Sequence, residues 1–221
     1  MRYPRSDICL LCDEPGGDMP NLCDACVREL PTVHEPCMTC GARAVPHTRQ
    51  CRTCAAQDPP VDRTYCALAY APPVDYLVGR LKFRGDLRVV PALAGLLLRA
   101  VVGAASVDRL VPVPITPARL RKRGFNQALE IARVLGARGR VPVTMAAHRR
   151  RGAETPQSSL PDTAARRANV ADVFEVRTPI GGDVAIVDDV VTTGATVNAL
   201  ARCLRGAGAR RVDVWAVART P

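Results

Sequence analysis

A ladder of cysteine pairs dominates the first quarter of the sequence. Eight of the ten cysteines lie within residues 1–54, in four Cys-x-x-Cys pairs whose first members are fourteen residues apart. A Cys-x-x-Cys turn can direct two thiolates at one cation, and two such turns complete a tetrahedral zinc site. The ladder therefore predicts two structural zinc ions with no open position for chemistry. The predicted ligands are Cys9, Cys12, Cys23, Cys26, Cys37, Cys40, Cys51 and Cys54.

Two other uses of the cysteines fit the sequence less well. A disulfide scaffold needs an oxidising compartment, and residues 1–20 lack the apolar stretch of a secretion signal. Thioredoxin-like chemistry needs one pair beside a βαβ pattern, not four pairs. The pairing stays open, because ten residues separate every pair from the next, and tandem and interleaved sites fit this spacing equally. His34 and His47 could also substitute as ligands, although a full cysteine set makes them unnecessary.

The charge of the chain is unevenly distributed. Residues 1–60 contain six Arg and eight acidic residues, a net charge of −2, so residues 61–221 carry +12 and the whole chain +10. A basic domain attracts phosphates, either on a nucleotide or along a nucleic-acid backbone. A compositional origin fits as well, because only Lys82 and Lys122 among the 31 basic residues are lysines.

No stretch of the sequence predicts membrane insertion. The most apolar segment, residues 89–107, is interrupted by Pro91 and Arg99. It is also shorter than the roughly 20 clean apolar residues that a spanning helix needs. Together with the missing export signal, this predicts a cytoplasmic protein.

The segment Asp58-Pro59-Pro60 predicts a boundary, because consecutive prolines interrupt regular structure. We expect a zinc-ribbon module in residues 1–58 and a second domain in residues 61–221. The second domain alternates strand and helix patterns, which predicts an α/β fold with a parallel sheet covered on both faces. The predicted strands are 66–71, 109–113, 141–145, 173–176, 184–187 and 212–217, and the main predicted helices are 74–83, 87–102, 125–135 and 195–205.

The clearest motif joins a buried strand to a helix. The apolar residues 184–187 are followed by Asp188 and Asp189, then by a loop with Gly194 and three threonines. Adjacent carboxylates at a strand end can accept hydrogen bonds from the vicinal hydroxyls of a ribose. The amides of the loop and of the helix N-terminus can bind a phosphate. The alternative is a Thr-capped turn with solvated aspartates, but such a turn has no need for two mutually repelling carboxylates.

This motif resembles the signature with which type I phosphoribosyltransferases bind 5-phosphoribosyl pyrophosphate (PRPP). The signature has four apolar residues, two acidic residues and then Thr-Thr-Gly-x-Thr. The resemblance implies that Asp188 and Asp189 hold the 2- and 3-hydroxyls of the ribose. It also implies that the 5-phosphate lies in a loop made of Val190, Val191, Thr192, Thr193, Gly194, Ala195 and Thr196.

Almost the whole chain resembles the ComF family of competence-associated proteins. The matching segments are the cysteine ladder, Leu-Lys-Phe-Arg-Gly-Asp at 81–86, Val-Pro-Val-Pro at 111–114, Arg-Lys-Arg-Gly-Phe-Asn-Gln-Ala at 121–128, residues 155–169 and the PRPP signature. The resemblance implies a type I phosphoribosyltransferase fold behind a double zinc ribbon. It also implies a part in DNA uptake, with single-stranded DNA and the competence machinery as partners.

The same resemblance extends the predicted site beyond the signature. It implies a pyrophosphate-binding loop at Ile115 and Thr116, with Arg123 among the cations beside it, and Lys82 as a catalytic residue with Asp188 and Asp189. Mg²⁺ would accompany PRPP and neutralise the leaving pyrophosphate. Residues 153–169 would form a hood over the substrate, with Gln157, Arg166 and Arg167 in it, although a simple surface loop explains this segment almost as well. Apart from the resemblance, the basic run 148–151 could follow a nucleic-acid backbone, but the interleaved aromatic residues that single-strand binders use for stacking are largely missing around it.

Three functions remain open at this point. The chain could transfer the phosphoribosyl group of PRPP to an acceptor, for example a nucleobase in nucleotide salvage. It could instead handle single-stranded DNA, or act as a regulator that binds PRPP without turnover. No acceptor-specific motif separates these functions.

Overall fold

A four-stranded parallel sheet organises the chain after the cysteine ladder. The protein is described by a computed structural model that covers Tyr3, residues 7–149 and residues 173–220. The strands of this sheet are β1 (Arg63–Ala69), β2 (Arg109–Pro112), β5 (Gly182–Val191) and β6 (Ala209–Arg219), in the order β1-β6-β5-β2 with every pair parallel. A separate antiparallel pair consists of β3 (Ala147–Arg149) and β4 (Phe174–Val176).

Seven helices lie within the described residues. Two short ones begin within the second pair of each half of the ladder, with Cys23 and Cys51 as N-caps, and the other five belong to the larger part of the chain. They are α1 (Asp24–Glu29), α2 (Arg52–Gln57), α3 (Val74–Arg84), α4 (Val89–Ala100), α5 (Pro117–Arg123), α6 (Gln127–Gly139) and α7 (Ala195–Gly206). In this part of the chain, no helix combines the length and apolar character that crossing a membrane requires.

The sheet separates two apolar layers. Successive side chains of a strand point to opposite faces. In β5, Ala185 and Val187 pack with α4 and α6, whereas Val184 and Ile186 pack with α7. Burial on both faces explains why this strand is an unbroken apolar run in the sequence. The predicted α/β fold with a parallel sheet is therefore confirmed.

Three local predictions need correction. Residues 141–145 form no strand but a single parallel bridge, between Leu110 and Val143, at the edge of the sheet. The predicted strand 184–187 is longer, because β6 continues to pair with β5 as far as Val191. Residues 117–123, for which no helix was predicted, form helix α5, which is capped by the Thr116 hydroxyl and ends at Gly124.

The first half of the ladder packs against α3 and α4. Arg80 in α3 donates a hydrogen bond to the carbonyl of Leu10 over 3.0 Å, and Asn21 donates to the carbonyl of Arg88 over 2.6 Å. A Cβ atom at Gly95 of α4 would lie 2.6 Å from the sulfur of Met19, so the helix must be bare at this point. The apolar residues that this segment adds to the core are Leu10, Met19, Leu22 and Leu30.

The second half of the ladder contacts strands β1 and β6. Thr64 donates from its amide to the carbonyl of Met38 over 2.7 Å and from its hydroxyl to that of Thr39 over 2.6 Å. Arg219 donates to the carbonyl of Cys40 over 3.0 Å. The division into domains 1–58 and 61–221 stays a prediction.

Candidate functional site

A cavity of ≈ 740 Å³ opens at the carboxyl ends of β2 and β5. Ligands of open parallel sheets bind at this edge. The cavity combines two carboxylates with several cations. Its lining includes Lys82, Phe83, Arg84, Ile115, Arg119, Lys122, Arg123, Gln127, Arg149, Asp188, Asp189, Val190 and Thr196.

The two aspartates lie within β5, where the strand approaches its carboxyl end. The Asp189 side chain is buried, and its Oδ2 atom lies 2.8 Å from Nζ of Lys82. Apart from this ion pair, Oδ2 accepts no hydrogen bond from the described residues. Its other oxygen accepts from the amide of Val190 over 2.9 Å, and Oδ1 of Asp188 accepts from the amide of Asp189 over 2.9 Å. The two carboxylates are thus held by backbone amides of their own strand, and among the described residues Oδ2 of Asp189 has Lys82 as its single partner.

The pKa of Asp188 lies well above its ordinary value. Removal from bulk water is the largest cause, and the negative charge of Asp189 and a hydrogen bond with that side chain add to it. The backbone amide of Asp189 and the charge of Lys82 act in the opposite direction. Two adjacent carboxylates in a cavity cannot both ionise without cost. The site therefore favours a ligand that brings hydroxyl donors or positive charge to them.

Lys82 reaches the aspartates because of its position on α3. One face of this helix is buried through Leu77, Val78 and Leu81. Lys82 follows in the last turn and lies at the border of that face. A cation is favoured there by the helix dipole. The sequence prediction brought together Lys82, Asp188 and Asp189, and all three line one cavity.

The loop that follows β5 is shaped by Gly194, whose φ is 79°. A residue with a Cβ atom is strained in this region, so glycine suits the position that begins α7. The Thr193 hydroxyl accepts a hydrogen bond from the amide of Ala195 over 3.3 Å. Val190 and Thr196 line the main cavity, whereas Val191, Thr193 and Gly194 line a smaller cavity of ≈ 230 Å³ beside the second cysteine half. Thr192 is exposed.

The residues predicted to contact pyrophosphate have two different positions in the structure: some line the cavity, and Thr116 caps a helix. Ile115 and Arg123 line the cavity, and the guanidinium of Arg123 donates to the side-chain oxygen of Gln127. Thr116 does not line it. Its hydroxyl accepts a hydrogen bond from the amide of Arg119 over 3.2 Å and thereby caps α5. This arrangement points cations, rather than that hydroxyl, toward the cavity.

Several residues of the cavity were not predicted for this site. Phe83 is 83% exposed at its mouth, and Arg84 follows it on α3. Arg149 enters from β3 and donates to the carbonyl of Pro114 over 3.0 Å. Arg149 was noticed only as part of a basic run, because nothing local shows that β3 folds back over the Pro114 loop. The predicted hood, with Gln157, Arg166 and Arg167, lies outside the described residues.

The eight ladder cysteines form two separate groups of four. Each group combines two consecutive pairs, 9/12 with 23/26 and 37/40 with 51/54, and all the sulfurs of a group lie within 4.8 Å of one another. The Cys12–Cys23 and Cys40–Cys51 sulfurs are each 3.6 Å apart. A tetrahedral zinc with bonds of about 2.3 Å places its sulfurs about 3.8 Å apart. The geometry thus fits two tandem four-cysteine zinc sites, without His34 or His47.

One thiol in each group is stabilised as a thiolate, the form that binds zinc. Burial acts to raise the pKa of Cys9, but hydrogen bonds from backbone amides, that of Cys23 foremost, bring it down to about 6. Burial acts likewise on Cys37, where amides including those of Cys40 and Cys51 bring the pKa down to about 7. These amides would persist around a bound metal and reduce the charge on its sulfurs.

Known proteins resemble the chain at two levels. Residues 118–221 match the phosphoribosyl transferase domain. The chain is 34% identical to the DNA utilization protein YhgH of Escherichia coli K12, over 96% of this chain and 97% of that protein. It is 29% identical to competence protein F of Haemophilus influenzae, over 90% of both chains. Competence protein ComFC of Bacillus subtilis is 27% identical over 58% of this chain and 51% of its own length.

The chain belongs to the ComF-type family.

Solved structures of phosphoribosyltransferases are more distant from this ComF-type chain. A glutamine PRPP amidotransferase from B. subtilis is 22% identical, with a TM-score of 0.39 over 55% of this chain and 24% of its own. A purine phosphoribosyltransferase from Pyrococcus horikoshii is 16% identical, with a TM-score of 0.35 over 68% and 74%. The assignment to the phosphoribosyltransferase fold therefore rests on the domain match and on the parallel sheet.

Proposed function

We propose that the main cavity binds PRPP. The observation that carries this proposal is the cluster of Asp188, Asp189 and Lys82 at the start of a glycine-containing loop that leads into α7. The two carboxylates would accept hydrogen bonds from the 2- and 3-hydroxyls of the ribose. Oδ2 of Asp189 has only Lys82 as a partner among the described residues and can accept such a bond.

The phosphates of PRPP would be bound on both sides of the ribose. Loop residues 190–196 and the N-terminus of α7 offer amides to the 5-phosphate. Arg119, Lys122 and Arg123 of α5 offer charge to the pyrophosphate from across the cavity. PRPP would bring Mg²⁺ to the site, and this ion would supply further positive charge for the leaving pyrophosphate.

Such a site would promote phosphoribosyl transfer by positioning and electrostatics. The bond from the anomeric carbon to pyrophosphate breaks, the carbon becomes cationic, and an acceptor supplies the new bond. The aspartates fix the ribose and place negative charge near the developing cation, while the cations of α5 stabilise the departing pyrophosphate. No side-chain nucleophile is needed, and the acceptor stays open.

Single-stranded DNA is a second candidate ligand, in line with relatives named for competence and DNA utilization. The observation that favours it is the lining of the cavity mouth. An exposed aromatic ring, Phe83, lies among the cations Arg84, Arg119, Lys122 and Arg149. Proteins that bind single strands combine stacking rings with positive charge in this way. A role in DNA uptake would follow if the site or its rim holds the incoming strand.

Titration of the zinc-loaded protein tests both candidates. We expect calorimetry with PRPP and Mg²⁺ to show one site per chain, with ribose 5-phosphate binding more weakly because it lacks the pyrophosphate. A labelled oligonucleotide in the same buffer is expected to lose affinity steeply with salt, since each phosphate contact releases counterions. A folded wild-type protein with no affinity for PRPP would sink the central proposal and leave DNA as the leading ligand.

The PRPP affinity is also expected to depend on pH and on Lys82. The ionised form of Asp188 accepts hydroxyl donors and its pKa is raised, so the affinity should fall as the pH decreases through that pKa. Lys82→Met removes a cation that favours ionisation, and the pH of half-maximal affinity should move upward by about one unit.

Lys122→Met is the matched control for this shift. Lys122 lines the same cavity but is not among the main influences on the pKa of Asp188, whereas Lys82 is. This variant is expected to weaken PRPP binding without moving the pH midpoint. An equal shift in both variants, or none in Lys82→Met, would contradict the role given to the ion pair.

A further inference from the structure

Arg219, the last residue of β6, connects the loop after β5 to the second cysteine group. It is a charged residue, yet only 8% of it is exposed. Its Nε atom donates to the carbonyl of Cys40 over 3.0 Å. Its Nη1 atom donates to the carbonyl of Val191 over 3.3 Å and also to that of Thr192. One guanidinium therefore holds two segments that are about 150 residues apart in the sequence.

Among the described residues, Arg219 donates to backbone carbonyls and to the Thr220 hydroxyl rather than to a carboxylate. A buried guanidinium must have its donors satisfied, because an unpaired charge in the interior is costly. The carbonyls of Cys40 and Val191 are therefore held in fixed positions relative to each other. The planar guanidinium of arginine can donate from Nε to one carbonyl and from Nη1 to another at the same time. A lysine ammonium acts as a point charge and lacks this fixed geometry.

The two segments that Arg219 joins have different proposed roles, one in ligand binding and one in metal binding. Val191 and Thr192 open the loop that would bind the 5-phosphate. Cys40 is a member of the second four-cysteine group. The small cavity of ≈ 230 Å³ lies between them, with Cys40, Thr193 and Arg219 in its wall.

The second cysteine group is also held by hydrogen bonds from strand β1. Thr64 of β1 bonds to the carbonyls of Met38 and Thr39, which holds the chain just before Cys40 at the sheet. The Cys40 carbonyl lies beyond these two anchored carbonyls, so its position depends also on the geometry of the four thiols, which a bound zinc would set.

We propose that Arg219 is a positioning residue that holds the loop 190–196 in its ligand-binding shape only while the second four-cysteine group is intact. Loss of that group's metal would release the Cys40 carbonyl, and with it the loop. The inference rests on the proposed PRPP function for its consequence, whereas the coupling between loop and cysteine group stands independently of PRPP.

The first test measures the loop and the ligand in Arg219→Gln and Arg219→Lys. Hydrogen exchange of amides 190–196 is expected to rise at least tenfold in both variants, while exchange in β2 and the central part of β5 stays unchanged. PRPP affinity should fall at least tenfold, with no rescue by lysine, and two zinc ions per chain should remain bound. An unchanged loop in Arg219→Gln would overturn the proposal.

Arg205→Gln is the matched control. Arg205 also bonds to backbone carbonyls, those of Pro60 and Arg210, and pairs with Asp62, but it does so at the opposite end of the sheet. It should lower the melting temperature without changing loop exchange or PRPP affinity. The same loop effect in both variants would mean that general destabilisation, not positioning, is responsible.

A double-mutant cycle tests whether the second cysteine group acts through Arg219. Cys54→Ser is expected to reduce the zinc content to one per chain and to raise loop exchange as Arg219→Gln does. Combining the two should add little, because both break one connection. Fully additive effects on loop exchange would refute the coupling. If Cys54→Ser is insoluble, zinc is removed from the wild-type protein with a chelator instead, and unchanged exchange of amides 190–196 would then refute it.

The two proposals can fail separately. If wild-type protein does not bind PRPP but loop exchange follows Arg219 and the second cysteine group, the coupling holds and the PRPP function fails. If PRPP binds and loop exchange is indifferent to Arg219, the coupling fails and the PRPP function holds.

Discussion

The double variant Asp188→Asn/Asp189→Asn is expected to lose PRPP binding by at least about 100-fold, because hydrogen bonds to charged acceptors contribute about 1.5–3 kcal/mol each. Asparagine keeps the shape of both side chains but removes their charge and replaces an acceptor oxygen with a donor. The fold should persist, since the variant also removes the repulsion between two neighbouring carboxylates. Calorimetry with PRPP and Mg²⁺ measures the loss, and circular dichroism checks the fold.

Asp183→Asn is the control for this variant. Asp183 lies on the same strand β5, but near its amino end, where it pairs with Arg210 and Arg211. It carries the same charge and is remote from the cavity, so PRPP affinity should stay within about twofold of wild type, a change of about 0.4 kcal/mol. A double variant that binds PRPP as well as Asp183→Asn does would remove the ribose role from the two aspartates.

Loss of the first four-cysteine group is expected to have the largest effect on stability. Cys9 is fully buried, and the segment around it adds Leu10, Met19, Leu22 and Leu30 to the core beside α4. Because metal binding supplies much of the folding free energy of such small modules, Cys9→Ser should release this segment from the core. We expect a decrease in melting temperature of about 10 °C or more, equivalent to several kcal/mol for a chain of this size.

Elemental analysis and thermal unfolding check this result together. Cys9→Ser should retain one zinc per chain, whereas Cys203→Ser, which changes a cysteine of α7 outside both groups, should retain two and melt near the wild-type temperature. A wild-type protein purified without chelators that contains no zinc would contradict the assignment. Equal melting temperatures for the two variants would show that the first group adds little to the fold.

The elements that local pattern specifies well were predicted within a few residues. Helix α7 and the centres of the strands on either side of it follow from apolar runs, a glycine and the 3.6-residue spacing of a buried face. The ladder likewise predicts cysteine coordination, because the chemistry of a Cys-x-x-Cys turn is contained within four residues. Lys82 and the two aspartates were placed in one site only through the family resemblance, since more than 100 residues separate them.

The errors arose where a neighbour in space decides the structure. Residues 141–145 have a strand pattern, yet they make only one bridge with β2 at the edge of the sheet. Strand β5 continues through the aspartates because β6 lies beside it, and no local signal announces this length. The ligand contact of Thr116 stays a prediction, and in the structure its hydroxyl accepts the capping hydrogen bond of α5.

The sequence by itself therefore determined the composition of the parts: eight thiols for metal, a parallel α/β sheet, and a strand, two carboxylates and a glycine loop at its edge. These follow from periodicity, turn chemistry and ligand preference, which act over a few residues. Only the tertiary structure showed that consecutive cysteine pairs share a group. The sequence could not show this, because the four Cys-x-x-Cys pairs are equally spaced and every pairing fits that spacing. The contacts of Arg219 with the carbonyls of Cys40 and Val191 are likewise visible only in the tertiary structure. A buried guanidinium needs hydrogen-bond acceptors, and which carbonyls lie within its reach depends on the packing of distant segments.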